Sequence, residues 1–523
     1  MLGNVEPGRN SSGHYYFEAR FNWERQFGKH SVGVMTVAMA EEYVLTAGSS
    51  TNVFETLPER NLGNSSRIAY DYDNRYFLEF NYGYNGSEKF AKKYRFGFFP
   101  SIGAGWLISN EAFWEGMKEI VPALKLKATY GLVGNDAIAG RAGRFFYMSQ
   151  VEISTTKGDV MWGMDYSRQV YHSAKVLRYA NPEVQWEVAG KLNLGIEIGL
   201  FKGESVKIQA DVFRDIRDKI YMNWESLPYS SGFGVAIAGN IGKAKSQGVD
   251  ASMDVKHFFN KDFWITGRGN FTYAVSEYLE LNEPSYPDHY RSKIGKSINR
   301  QWGYVGERLF VDDAEIAASP NQFGYNDYMA GDIKYKDVNN DGKIDAGDQI
   351  PMGFPTVPEI QYGFGLSAGY KKFDFSFFFQ GNARVSFFIN AGTTVSSSGE
   401  LIGIAPFNNR RNALAIVGDD YWTETAPNVH AFWPRLSTTP LENNTKQSSW
   451  WLRDGKFLRL KTAEFGYTLP EINRIGMKTC RVYLSGENLF VIAPFKMWDP
   501  EMGNKGLEYP INRRFNIGVQ LTF

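Results

Sequence analysis

Strict two-residue alternation, sustained over long stretches, limits what this chain can fold into more than any other feature. In GKLNLGIEIGLF, Leu192, Leu194, Ile196, Ile198 and Leu200 fall on one side, and Lys191, Asn193, Gly195, Glu197 and Gly199 on the other. QYGFGLSAGY sets Tyr362, Phe364, Leu366, Ala368 and Tyr370 against Gln361, Gly363, Gly365, Ser367 and Gly369, and FDFSFFFQ continues with Phe373, Phe375, Phe377 and Phe379. The last ten residues, RFNIGVQLTF, alternate in the same way and finish on Phe523. A period of two places alternate side chains on opposite faces of a strand, whereas one face of a helix recurs every 3.6 residues.

Two architectures use such strands. Sandwich strands typically run about 5–6 residues, whereas strands that cross a bilayer need about 9–11. The segments here have the longer length, and their polar faces, rich in glycine and charge, suit a wet lumen. The fold expected is therefore an all-β transmembrane antiparallel barrel, with a secreted β-sandwich lectin as the rival. The mean hydropathy of −0.37 points to a soluble protein if taken alone. An aromatic fraction of 16% and 53 glycines point the other way. Lys+Arg and Asp+Glu both total 57, so no nucleic-acid footprint is expected. A single cysteine, Cys480, expected to be inert, excludes a disulfide framework and a cysteine-based zinc site.

Link lengths alternate along the chain. Short links fall near 27–30, 72–75, 200–204, 258–262 and 370–373, and long irregular ones near 46–64, 87–95, 135–182, 223–240, 282–357 and 388–453. Short turns at one end and long loops at the other are the asymmetry of outer-membrane barrels. Fifteen strands are predicted, near 13–26, 30–45, 65–73, 75–86, 96–108, 122–134, 183–201, 204–222, 240–258, 262–281, 358–371, 372–387, 454–469, 479–492 and 512–523. An amphipathic helix is expected over 110–124 on the turn side, and loop structure over 145–154. The first strand starts on the loop side and the last ends on the turn side. With both chain ends on the turn side of a barrel, that parity predicts an odd number of further strands ahead of residue 1. The opening MLGNVEPGRNSSG has neither the basic nor the apolar region of a signal peptide, in keeping with that expectation.

Several blocks together resemble one family. NRYFLEFNYGYNGSEKF, FGFFPSIGAGWLISNEAF, LKLKATYGLVGN and NPEVQWEVAGKLNLGIEIGLF are similar to the barrel of SusC/RagA-like TonB-linked outer-membrane proteins. So are GVDASMDV, YKDVNNDGKIDAGDQIPMGFPTVPEIQYGF, YWTETAPN, WLRDGKFLRLKTAEFGYTLP and VYLSGENLFV, in that order. The resemblance implies that residues 1–523 form the C-terminal part of a 22-stranded barrel, with the plug, signal peptide and first strands outside it. It also implies TonB-dependent import of bulky nutrients through the outer membrane, oligosaccharides foremost and sometimes peptides. A SusD-like surface lipoprotein and TonB are the implied partners. A siderophore or cobalamin receptor, or a non-functional truncated fragment, remains as an alternative. No GxSxG, HExxH or P-loop stands where its structural context could exist, so no enzyme is expected.

One local motif is sharp. In DVNNDGKIDAGD, Asp337, Asn339, Asp341, Gly342, Asp345 and Asp348 occupy positions 1, 3, 5, 6, 9 and 12 of an EF-hand-type loop, with the Lys343 carbonyl at position 7. A structural Ca2+ clip ordering the long 282–357 loop is expected, with an empty Asp/Asn/Gly turn as the other reading. Ligand contacts are expected from loop aromatics: Trp162 with Tyr166 and Tyr171, Trp224 with Tyr229, and Trp302 with Tyr304. Such rings join an apolar body to a polar tip and stack on sugar faces. Phe495 and Trp498 are expected in the aromatic girdle. The terminal Phe523 is read both as lipid-facing and, by the resemblance, as a barrel assembly signal.

Overall fold

The computed structural model describes residues 11–46, 57–138, 144–153, 160–162, 169–171, 174–325, 327–392, 403–404, 413–438, 441–469 and 478–523. Fifteen strands follow one another as hydrogen-bonded neighbours in a single sheet, in chain order. They are β1 (Ser11–Phe27), β2 (His30–Thr46), β3 (Glu59–Tyr72), β4 (Tyr76–Ser87), β5 (Phe96–Leu107), β6 (Ala123–Asn135), β7 (Glu187–Leu200) and β8 (Val206–Asn223). The remainder are β9 (Ala238–Phe258), β10 (Phe263–Glu280), β11 (Ile360–Tyr370), β12 (Phe373–Ala383), β13 (Phe457–Leu469), β14 (Thr479–Ile492) and β15 (Arg514–Thr522). Each falls where alternation places it. The largest boundary error is at β3, predicted from residue 65. It begins at Glu59 because its pairing with β2 continues unbroken from His30↔Tyr72 to Tyr43↔Glu59.

The helix expected over 110–124 is not formed. Two 3-10 turns, Ile108–Asn110 and Ala112–Met117, occupy this link, and β6 starts at Ala123. Gly116 weakens a helix interior by about 1 kcal/mol, and Pro122 supplies no N–H, so neither favours a longer helix. Among the described residues no helix is long and apolar enough to cross a membrane. That says nothing of crossing by strands.

The chain divides into two compact units. The first comprises Met1–Ile198, Asp211–Gln247 and Ser276–Ser285. The wet faces of its strands are bridged by cross-strand ion pairs: Arg67 to Glu79 at 2.6 Å, Lys127 to Glu197 at 3.1 Å and to Asp211 at 3.3 Å, Lys191 to Asp215 at 2.6 Å, and Lys245 to Glu277 at 2.6 Å. Each exposed pair is worth only about 0–1 kcal/mol. Collectively they match cation to anion across a polar surface. A small core of Phe90, Ile138, Phe146 and Val184 ties together the links around the long-link ends of β4–β7.

The second unit comprises Gly199–Ala210, Gly248–Val275 and Tyr286–Phe523. Its apolar strand faces stay open although each strand has neighbours: Phe375 is 44% exposed, Phe465 50% and Leu484 52%. They carry an aromatic stripe, with Phe364 on Phe379 at 5.3 Å and Phe373 on Phe465 at 5.8 Å between centroids. A continuous apolar face of this kind needs lipid or another protein to cover it. On the opposite face Arg481 bridges Asp374 and Glu464. Glycines there leave room for neighbouring rings. A Cβ on Gly363 would come within 2.7 Å of the Phe378 ring, and one on Gly518 would collide with Tyr483.

The two faces make opposite predictions at adjacent positions. Phe377→Arg, near the middle of the apolar face of β12, is expected to destabilise the protein in lipid by about 2–4 kcal/mol. Ser376→Arg, on the wet face, is expected to cost less than about 1 kcal/mol. Urea unfolding in lipid vesicles measures both, and equal losses would remove the assignment of faces.

Candidate functional site

The functional groups of the second unit lie where the long links meet the strands. Two of those links, 281–359 and 384–456, fold on each other with residues of the last link around one core. Leu309, Ile333, Tyr335, Ile344, Val417, Trp433 and Trp451 are among its buried members. Trp433 and Trp451 pack at 5.5 Å between centroids, and Trp451 Nε1 donates to the Asn444 carbonyl at 2.8 Å.

Polar side chains lock this core. Asp332, fully buried, accepts from Arg435 Nη2 at 2.8 Å and from Asn444 Nδ2 at 2.8 Å. Gln322 donates to Asn443 Oδ1 at 2.7 Å and accepts from the Tyr335 N–H at 2.7 Å. Burial pushes the Asp332 carboxyl up, against the pull of Arg435, and pushes the Tyr335 hydroxyl up as well. Nearby, burial raises the Glu315 carboxyl, but Lys334, the Val311 N–H and Arg308 together outweigh it and bring it down to about 2. None of these residues stood out in the sequence. Asp332 and Gln322 find Arg435, Asn443 and Asn444 more than a hundred positions away, and no local pattern marks them.

The acidic loop closes largely on itself. Asp337 accepts from the N–H groups of Asp341 at 3.3 Å and Gly342 at 2.9 Å, and Asp341 accepts from the Lys343 N–H at 3.1 Å. Gly342 takes φ +85°, as position 6 requires. Asp345 caps the turn Ala346–Asp348 and receives the Gly347 N–H at 2.7 Å. Asp348 is fully buried, and its two oxygens accept from Val338 at 2.7 Å and Asp345 at 2.8 Å. Position 12 is thus occupied by backbone donors rather than turned toward positions 1, 3 and 5. Among the described residues no three His, Cys, Asp or Glu side chains group to hold a metal ion.

The expected aromatic contacts divide. Trp224 is exposed, its backbone N–H bonded to the Ile237 carbonyl at 2.8 Å. Trp302 is half-buried in the short strand Gln301–Gly303, paired with Ile350–Met352. Tyr304 is a correction: at 7% exposure it packs edge-on against Phe323 at 4.8 Å and accepts from Gln349 Nε2, so its ring belongs to the loop core. Tyr166 and the side chains of Trp162, Tyr171 and Tyr229 lie outside the described residues. Phe495 and Trp498 are also corrected. Phe495 is buried in the same core, 4.7 Å from Trp498, whose Nε1 donates to the Gly503 carbonyl at 2.8 Å. The last link folds back here, which removes both rings from the lipid girdle. Cys480 is buried in β14, and Phe523 is 69% exposed.

On the wet face below the loops lies a concavity of about 700 Å3. It is lined by Asp250, Asn270, Thr272, Gln361, Gln380 and Asn382, with Phe378 and, from the last link, Glu501. The register explains the gathering. Thr272, Gln361 and Asn382 are direct cross-strand partners in one row, and Asn270, Gly363 and Gln380 in the next. Arg459 ends the second row. It is 2% exposed and neutralised by Asp499 at 2.6 Å and Glu501 at 3.1 Å. The sequence shows these amides on polar faces of separate strands. Only the pairing register shows that they are neighbours.

Comparisons with known proteins follow this geometry. The model of the family described as TonB dependent receptor-like, beta-barrel matches residues 7–489. TonB-dependent receptor P3 of Formosa agariphila is 26% identical, over 87% of this chain and 45% of the relative. TonB-dependent receptor SusC of Bacteroides thetaiotaomicron is 26% identical, over 87% and 43%. The chain spans about half the length of the curated relatives it matches. Among solved structures, the RagAB peptide transporter superposes with a TM-score of 0.72 at 21% identity, over 99% of this chain and 56% of that one. That likeness shows a shared fold.

The Glu315 cluster sets a pH dependence for the loop core. A carboxyl held below its ordinary value stabilises the fold above about pH 4.5, and that contribution is lost as pH falls toward about 2. Amide exchange of Ile333–Tyr335 is therefore expected to keep constant protection above pH 5 and to lose it below 4.5. Glu315→Gln is expected to flatten the profile. A wild-type profile without an acid limb would show that the cluster stabilises nothing.

Proposed function

The chain belongs to the TonB dependent receptor-like β-barrel family, and from that membership we propose that it forms the C-terminal barrel portion of a TonB-driven importer of bulky nutrients in the outer membrane. Oligosaccharides are the foremost cargo in this reading, with peptides as the second. A plug, reached by TonB, and a SusD-like lipoprotein over the long loops would complete the machine. The observation that carries the reading is the division of the strands in each unit into an apolar face and an ion-paired wet face. In this reading the protein does no chemistry on its cargo. The protein supplies a lined route and a binding surface, and the energy comes from outside the barrel. The glycan branch stands first because the resemblance of the sequence to SusC-like proteins implies oligosaccharides foremost. The peptide transporter among the solved structures is the reason peptides stay as the second cargo.

Deleting the coding region for residues 1–523 from its native chromosome tests the cargo. Growth is expected to fail on at least one polysaccharide and to persist on its monosaccharide and on peptides. Failure on peptides alone would move the cargo to the second class, and growth unchanged on every source would sink the import reading.

We further propose that the less buried half of the acidic loop, Asp337, Asn339, Asp341 and the Lys343 carbonyl, takes calcium while Asp345 and Asp348 keep their backbone partners. Half a ligand set predicts weak binding, with a Kd of about 10−4–10−3 M. Millimolar calcium is expected to slow amide exchange across 337–345, and Asp341→Ala to abolish the effect. Exchange indifferent to calcium at 10 mM would make the loop a plain hydrogen-bonded turn.

A further inference from the structure

The amide rows on the wet face differ from the rest of that face. Elsewhere in the second unit several of its charged groups are paired, as in Arg268 with Asp254 at 2.7 Å and Arg481 with Asp374 and Glu464. Among the described residues the side chains of Asn270, Gln361, Gln380 and Asn382 make no hydrogen bond. Asn382 Oδ1 is moreover enclosed, without a partner. An enclosed acceptor left unpaired is costly, so a ligand that supplies a donor is favoured there. Four amides present donors and acceptors side by side, at a spacing fixed by the strand register. Gly363, between Asn270 and Gln380, carries no side chain, and this lets the Phe378 ring lie across the second row beside Asn270.

We propose that these two rows are a binding subsite for a neutral oligosaccharide, with Gln361, Asn382, Asn270 and Gln380 pairing with its hydroxyls and Phe378 offering a ring to a sugar face. Adjacent hydroxyls on a sugar each donate and accept, which matches a carboxamide on both counts. An anionic ligand would meet no free counter-charge along the amide rows, since Arg459 is already neutralised by Asp499 and Glu501, and it would face the Asp250 carboxylate beside Thr272. The subsite deepens the import reading and rests on it, but binding at the subsite does not need energised transport.

The test uses the protein extracted from outer membranes of its native host, at the length the cell makes it. Equilibrium binding is measured against neutral glucans, mannans, fructans and galactans of four to ten sugars, and against uncharged peptides. The wild type is expected to bind at least one oligosaccharide. The double variant Gln361→Ala with Asn382→Ala, and Gly363→Val separately, are expected to weaken it about tenfold or more, while Ser367→Ala, further along β11, leaves it unchanged. Membrane abundance and heat-modifiable migration report whether each variant is folded. Wild-type binding to none of the oligosaccharides, to peptides alone, or undiminished in a folded double variant would each overturn the subsite. Binding that is lost in the variants while native uptake never occurs would sink transport and leave the subsite standing.

Discussion

The constraint on which everything else depends is the backbone. In the hydrocarbon of a bilayer each unpaired N–H or C=O costs several kcal/mol, so strands can cross only as a ladder in which every member has neighbours on both sides. From β2 to β14 each strand has two. Among the described residues β1 pairs only with β2, and β15 only with β14. Those two edges are also where apolar side chains are most open: Phe17 is 67% exposed and Ile517 80%, beyond the values of inner strands.

Once the ladder is fixed, side chains have little choice. Alternation sends every second residue toward lipid, and the remainder must share a wet interior. Charges there are tolerable in matched pairs, which is how a chain with 57 cationic and 57 anionic residues can line a lumen without a strong field of either sign. Glycine serves the same face. Where Tyr483 or Phe378 lies across the neighbouring strand, a Cβ would occupy the ring's place, and the glycines at 518 and 363 remove it.

How far the sequence could be read follows from this division. Strand positions were legible because a period of two is a local signal, and the lipid-facing stripe leaves no tolerance for a one-residue slip. Glu59–Asn64 was missed since that stretch alternates poorly and takes its conformation from β2. The loop core was not legible. Asp332 needs Arg435 and Asn444, Gln322 needs Asn443, and none of these pairs is marked by spacing. Tyr304, Phe495 and Trp498 were misplaced for the same reason: an aromatic residue in a link looks alike whether it faces cargo, lipid or the next loop. The acidic loop shows a subtler limit. Its spacing fits a calcium site, yet Asp348 is held by Val338 and Asp345, a choice made by tertiary burial rather than by the motif.

The buried Asp332–Arg435 pair bears on what the loops are for. Replacing such a pair by apolar side chains is often neutral or stabilising, so stability alone is a weak reason for it. What it adds here is geometry. Asp332 is bonded at once to Arg435 and Asn444, which come from the other long link, so one carboxylate fixes the register of two loops against each other. Leucine in its place would fill the space and allow the loops to slide. Loops held by one such carboxylate gain a single arrangement more than extra cohesion. The amide rows have the same character: their spacing comes from strand register, the most rigid element of the fold. On this face backbone pairing comes first, and the side chains inherit their positions from it.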